Sequence, residues 1–256
     1  MTKLHKVFVL LSGGIDSSTV LAMAADEFPN SPIETVTVDY GQRHKREAEC
    51  ASTQSQSYDA AHVILNAAGL MTGMLVDKGD TANEEIPEVS YAELPHGISP
   101  TYVSFRNGMM LSMLAARAQG WVMEQEKLWE ADAKRDTHGD LDDWRGGNDV
   151  SATLYAGMHA DDAANDAYPD CTLEFAGAMA AAIATGTYGK VRLRVPIIHM
   201  AKPDVVALGY GLGVDYSNTW SCYVGADQHC GVCPTCRARK EAFELGGVPD
   251  PTEYAA

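Results

Sequence analysis

Short apolar runs alternate with amphipathic stretches along most of this 256-residue chain. Val7-Phe8-Val9-Leu10-Leu11 is continuous and apolar, bounded by polar residues and too short for an ordinary helix, so it predicts a strand buried on both faces. Asp16 to Ala25 returns to helical spacing, with Val20, Leu21 and Ala24 on one side. The β-branched run Ile33 to Val38 predicts a second strand, Glu47 to Tyr58 a polar helix, and Ala61 to Leu65 a weaker third strand. From Ala67 to Pro100, Gly, Pro and charge dominate without a period, which predicts a long loop of the kind that forms lids or stays disordered. Met109 to Ala118 predicts an apolar helix whose methionines pack in a core. Ala152 to Ala156 and Val191 to Val195 predict two more strands, and Leu173 to Thr185 and Lys202 to Leu212 two more helices. This alternation predicts an α/β fold, a Rossmann-like parallel sheet with helices on both faces. The polar stretch from Val122 to Val150 interrupts it and reads as a surface insertion, in which Trp121 on its border, Trp129 and Trp144 leave room for a protein contact.

The chemistry concentrates where predicted strands end. Ser12-Gly13-Gly14 follows the first strand and precedes the first helix. The glycines permit a tight turn and keep side chains away from the peptide N–H groups, while the helix N-terminus adds partial positive charge. Such a cup binds anions, phosphate first among them. It is not the lysine-bearing Walker loop, because Ile15 follows the glycines and no lysine appears until Lys45. Asp39-Tyr40-Gly41-Gln42-Arg43-His44 ends the second strand, and Gly157-Met158-His159-Ala160-Asp161-Asp162 follows the strand at Ala152 to Ala156, with Tyr168-Pro169-Asp170-Cys171 beyond it. In an open parallel sheet these carboxyl ends share one edge, where ligands bind. Arg106 and Asn107 stand at the mouth of the methionine-rich helix, where a guanidinium can hold a phosphate or carboxylate in a bidentate fork. Arg106 and Asp162 are therefore candidates to hold substrate or phosphate.

At 46% hydrophobic the chain can bury a sizeable core, as one domain over residues 1–213 with an appendage at 214–256. It contains no apolar stretch long enough to span a bilayer and no leader-like N-terminus, so a soluble, cytoplasmic protein is expected. A formal net charge of −16 repels nucleic acid and weighs against an RNA substrate. Four of the six cysteines, Cys222, Cys230, Cys233 and Cys236, crowd near the C-terminus at a spacing that lets thiolates converge on one ion. Zinc is the default occupant, in a closed structural site able to contribute something like 10 kcal/mol of apparent folding free energy. An iron-sulfur cluster and unligated thiols are the alternatives, and His229 is a possible substitute ligand. Cys50 reads as an ordinary thiol on a polar helix, whereas Cys171 is placed to line an active site.

The order Ser-Gly-Gly-x-Asp-Ser resembles the PP-loop of the ATP pyrophosphatases, which bind ATP and release pyrophosphate while passing AMP to a substrate. The resemblance implies that Ser12, Gly13, Gly14, Asp16, Ser17 and Ser18 hold the departing pyrophosphate and its magnesium (Mg2+), with Asp16 and Ser17 acting in catalysis. Leu11, Ile15 and Asp39 complete the expected nucleotide site. Taken together, SGGIDS, DYGQRH, RNG, YPDC and TWSCYVGADQHCGVCPTCRARKEAF resemble the 7-cyano-7-deazaguanine synthase family, and the motifs run in family order almost to Phe243. That likeness implies ATP, Mg2+ and Zn2+ as cofactors, 7-carboxy-7-deazaguanine and ammonia as substrates, and a homodimer. In the chemistry it implies, the acid becomes an acyl adenylate, ammonia displaces AMP to give an amide, and a second adenylation leads to the nitrile, preQ0. One departure stands out: where the family usually has a proline or small residue and then glycine or alanine before Arg-Asn, this chain has Ser104-Phe105. Rival readings are an amide synthetase that stops one step earlier, another PP-loop enzyme acting on nucleotide or tRNA, and a nucleotide-binding scaffold without activity.

Overall fold

The computed structural model describes residues 3–42, 46–71, 75–76, 86, 88–90, 93, 97, 99–135, 149–159, 161, 168–224 and 227–256. Five strands form one parallel sheet: β1 (Lys3–Leu10), β2 (Ile33–Asp39), β3 (Ala61–Asn66), β4 (Asp149–Tyr155) and β5 (Val191–Arg194). Their spatial order is β3-β2-β1-β4-β5, with Val7 opposite Ile33 on one side of β1 and Lys3 opposite Asp149 on the other. The chain winds outward from β1 through β2 to β3, then returns to lay β4 and β5 on the opposite side. The order therefore reverses between β1 and β4, and the crevice beyond their carboxyl ends is where an open sheet of this kind takes its ligand.

Helices cover both faces, as the alternation of the sequence predicts. Val7 and Val9 of β1 point into a core shared with α1 (Ile15–Glu27), α5 (Lys202–Gly211) and α6 (Pro234–Leu245), which contribute Val20 and Leu21, Val205 and Val206, and Ala242 and Phe243. Phe8, on the other face, packs with Leu111, Leu114 and Val122 of α3 (Arg106–Arg135) and with Ala176 and Ile183 of α4 (Leu173–Gly186). Each such Val, Leu or Phe contributes about 1.5 to 3 kcal/mol by leaving water. A polar helix, α2 (Arg46–Ser57), connects β2 to β3 and presents Ala51, Gln54 and Ser55 inward.

Three elements extend beyond the reach of the apolar pattern. The helix expected over Met109–Ala118 runs through to Arg135, with Trp121 set edge-on to Phe8 at 6.2 Å and Trp129 packed against the same core. The remainder of the polar stretch, 136–148, lies outside the described residues, Trp144 with it, as does most of the loop expected before Pro100. β1 and β4 begin at Lys3 and Asp149, earlier than their apolar centres. Within β2 a charged residue, Glu34, is only 5% exposed. Burial would raise its carboxyl, but hydrogen bonds from Arg117 and from Lys6, the latter at 2.8 Å, outweigh it and hold the pKa below the usual value.

Candidate active site and metal centre

The turn after β1 is closed by its own hydroxyls. Ser12 Oγ and Ser17 Oγ lie 3.0 Å apart, the Ser12 N–H donates to Ser17 Oγ at 3.2 Å, and the Gly14 N–H donates to Ser12 Oγ at 3.3 Å. Gly14 is the N-cap of α1 and no side chain caps the helix. The first helical bond runs from Ser18 N–H to the Gly14 carbonyl, so the N–H groups of Ile15, Asp16 and Ser17 precede it in the first turn without an intrahelical partner. Gly13 sits at φ +85°, where a Cβ would fall 2.2 Å from the Glu47 carbonyl oxygen. This turn can be formed only by a residue without a side chain, packed hard against the start of α2.

Around Asp16 the fold assembles a charged cluster that no local motif announces. Lys202 Nζ, at the start of α5, donates to Asp16 Oδ2 at 2.6 Å, and His159 Nε2, just beyond β4, lies 3.3 Å from that ammonium and 3.6 Å from the carboxylate. Burial would raise the Asp16 carboxyl; Lys202 and then His159 outweigh it and keep it well below the ordinary carboxylate range. Its second oxygen, Oδ1, is buried and has no hydrogen-bond partner among the described residues. Gly157 lets β4 approach this point, since a Cβ there would lie 3.0 Å from the Asp16 carbonyl carbon.

Ser12, Gly14, Ile15, Asp16 and Ser17 line a cleft of about 840 Å³ that also exposes Tyr40, Glu47, Arg106, Asn107, Tyr168 and Cys171. Arg106 is hydrogen-bonded to Tyr40, with Tyr223 and Cys171 near by. The RNG and YPDC motifs meet directly: the Asn107 N–H donates to Asp170 Oδ2 at 2.9 Å, and Asn107 Nδ2 donates to the Asp170 carbonyl at 3.0 Å and to Cys171 Sγ at 3.2 Å. Asp170 thereby closes the N-terminus of α3 and fixes the base of Arg106. Behind them, Tyr168 Oη pairs with Thr101 Oγ1 at 2.5 Å and lies 3.2 Å from Ser99 Oγ.

The other expected site residues take different positions. Leu11 lines the cleft but has both main-chain groups engaged, its N–H with Val36 and its carbonyl with Thr37 Oγ1, so it offers wall and no polar contact. Gly13 and Ser18 lie just behind the cleft surface; Ser18 is fully buried and its hydroxyl has no partner among the described residues. Asp39 stands at the end of β2 outside the cleft lining, and its Oδ1 accepts from the Gly41 N–H at 3.0 Å. Asp162 lies outside the described residues. Phe105, the unusual residue before Arg106, adopts φ +51° and turns its ring away from the cleft, over Gly108 and edge-on to Phe175 at 5.9 Å. The pocket wall is therefore built by Arg106 and Asn107 and not by Phe105. Sequence reasoning passed over His159 and Lys202, which only the placement of their strand and helix ends beside the phosphate turn could have flagged.

The four C-terminal cysteines converge. The sulfurs of Cys222, Cys230, Cys233 and Cys236 all lie within 4.8 Å of one another, and those of Cys230 and Cys236 are 3.9 Å apart. Thiolates about 2.3 Å from a tetrahedral ion would stand about 3.8 Å apart, so the donor set fits a single metal ion. The N–H groups of Cys230 and Cys233 point at Cys222 Sγ and Cys230 Sγ, at 3.4 and 3.3 Å, as they would to support thiolate charge. His229 is turned elsewhere: its Nε2 accepts from the Ser221 N–H at 3.1 Å and its ring lies 4.1 Å from that of Trp220. Among the described residues no helix is long and apolar enough to cross a membrane.

Comparison with known proteins agrees with this geometry. The family described as queuosine biosynthesis protein QueC matches residues 6–136 and 147–247. A 7-cyano-7-deazaguanine synthase of Methanoregula boonei is 33% identical over 249 residues, covering 97% of this chain and 99% of the relative. One from Pseudoalteromonas atlantica is 33% identical over 98% of this chain and 99% of its own. One from Ralstonia pickettii is 38% identical over 97% of this chain and 98% of its own. With that family model matching most of the chain and relatives at 33–38% identity over nearly its whole length, the chain belongs to the queuosine biosynthesis protein QueC family.

Proposed function

We propose that this protein is a 7-cyano-7-deazaguanine synthase, a carbon-nitrogen ligase that uses ATP to convert 7-carboxy-7-deazaguanine and ammonia to preQ0. The observation that carries this reading is the opening of the phosphate turn and Arg106 into one cleft, where an acid and a nucleotide can be brought face to face. A carboxylate cannot expel oxide, so it must be activated first. Its oxygen attacks the α-phosphorus of ATP and the bond to the β-phosphate oxygen breaks. The N–H groups of α1's first turn, with Ser12, Gly14 and Ser17, then stabilise the charge gathering on pyrophosphate, each charge-assisted contact contributing about 1.5 to 3 kcal/mol. Gly13 and Ser18 shape that turn from behind, and Leu11 and Ile15 wall it.

In this reading Lys202 offsets negative charge beside Asp16, and Arg106 holds the substrate carboxylate or a phosphate. Asp39 and Asp162 remain candidates to hold nucleotide or substrate. The unpartnered Oδ1 of Asp16 suits a hard cation, and Mg2+ there would neutralise charge on the leaving pyrophosphate. Ammonia then displaces AMP to give the amide, whose oxygen attacks a second ATP; loss of AMP and protons leaves the nitrile. The cysteine set would hold Zn2+, with no ligand position open for chemistry, so its contribution is to the folding of the segment 214–256 beside the domain 1–213. We take the working form to be a cytoplasmic homodimer acting on small molecules, with no direct contact with nucleic acid. Exchange of labelled pyrophosphate into ATP, dependent on the deazaguanine acid, tests the first adenylation; absence of exchange with metal-loaded protein would refute it.

A further inference from the structure

We propose that Glu47 is the base that takes a proton from the ammonium ion supplying the nitrogen of the product. The inference deepens the synthase reading and rests on it. Glu47 stands in the first turn of α2, whose backbone is packed against the phosphate turn so closely that a Cβ on Gly13 would fall 2.2 Å from the Glu47 carbonyl oxygen. Glu47 lines the same cleft as Ser12, Gly14, Arg106 and Asn107. Among the described residues its carboxyl accepts no hydrogen bond, and the Arg106 guanidinium is the positive charge set against it. The groups around it are Arg106 from α3, Tyr40 from the turn after β2, and Cys50 on α2 itself. Burial pushes the carboxyl up to about 7, against the lowering effect of Arg106. A group so poised accepts and returns a proton near neutral pH.

The chemistry needs such a group. Nitrogen arrives mainly as ammonium, whose lone pair is occupied by a proton. The Glu47 carboxylate takes that proton, the freed lone pair forms the carbon-nitrogen bond to the acyl carbon, and the bond from that carbon to the adenylate oxygen breaks with release of AMP. The second proton lost from nitrogen passes to solvent, and Glu47 returns its own to solvent before the next cycle.

The test compares wild-type and Glu47→Gln protein, both full length and metal-loaded, in three assays. These are acid-dependent exchange of pyrophosphate into ATP, amide and nitrile formation with ammonium across neutral to alkaline pH, and turnover with hydroxylamine, which is largely unprotonated at neutral pH. The variant is expected to lose about 10²- to 10⁴-fold in ammonium-dependent turnover at neutral pH. That loss should far exceed any in exchange, shrink as pH rises and free ammonia accumulates, and be largely absent with hydroxylamine. Equal losses in all three assays would assign Glu47 to binding or folding and overturn the proposal, as would unchanged turnover with ammonium. Absence of exchange by the wild-type protein would remove the synthase reading itself, a failure separate from any behaviour of Glu47.

Discussion

The main-chain N–H of Trp220 donates to the carbonyl of Gly13 at 2.9 Å, which bonds the cysteine-bearing segment directly to the phosphate turn. Two residues on is Cys222, whose carbonyl accepts from the Trp220 indole at 2.8 Å. The cysteine set and the turn after β1 are therefore joined by a strut two residues long. Stripping the metal with a chelator, or replacing Cys236 with Ser, is expected to lower the melting temperature and also to weaken binding of a non-hydrolysable ATP analogue. Calorimetric titration of the stripped protein measures the second effect. Unchanged affinity after metal loss would show that the strut holds without the ion.

Lys202 and Asp16 form the closest charged pair at the phosphate turn. Replacing Lys202 with Met removes a charge-assisted hydrogen bond of about 1.5 to 3 kcal/mol, so pyrophosphate exchange should fall roughly tenfold to a hundredfold. Asp16 would lose the larger of the two influences that hold its carboxyl down. Exchange at the wild-type rate would take Lys202 out of the site.

Much of this arrangement is legible in the residues themselves, and the division is physical. Ser12-Gly13-Gly14 and the cysteine set are local patterns whose chemistry depends on spacing along the chain, so they can be read without a fold. The cluster at Asp16 depends instead on β4 and α5 arriving from 143 and 186 residues away to meet the first turn of α1. Neither His159 nor Lys202 sits in a motif that announces this. The helix α6 is hidden for another reason. Its inward positions Cys236, Arg239, Ala242 and Phe243 follow helical spacing, but a thiol and a guanidinium stand where apolar residues mark a buried face. The early starts of β1 and β4 escape notice because Lys3 and Asp149 pair through the backbone and keep their polar side chains exposed.

Arg239 is the largest of those hidden groups, 1% exposed. It donates to the Tyr216 carbonyl at 3.0 Å, to Thr219 Oγ1 at 2.8 Å and to Asp250 at 3.3 Å. Arg239→Met keeps the bulk and strands these partners along with Ser221 Oγ, which lies 3.3 Å from Nη1. The expected cost is about 3 to 5 kcal/mol of unfolding free energy, read from urea denaturation of the metal-loaded protein. A loss below 1 kcal/mol, the usual worth of an exposed ion pair, would mean that the partners find other donors or water.

Glu47 carries a pH signature in stability as well as in rate. Its carboxyl titrates at about 7 in the folded chain against an ordinary 4.5, so between those values the folded protein holds a proton that the unfolded chain has lost. The stability it contributes is fully present below the unfolded value, declines as pH rises to about 7, and does not change further above it. Wild-type protein should therefore lose unfolding free energy between mildly acid and neutral pH more steeply than Glu47→Gln. Parallel profiles for the two proteins would contradict the burial-driven shift.

The most direct test of the account is mass spectrometry of the product. Metal-loaded protein would be incubated with Mg-ATP, ammonium and 7-carboxy-7-deazaguanine while AMP and pyrophosphate are followed. The predicted result is the nitrile, with two AMP and two pyrophosphate released for each acid consumed. Accumulation of the amide without further loss of water, or an acid left untouched, would contradict it.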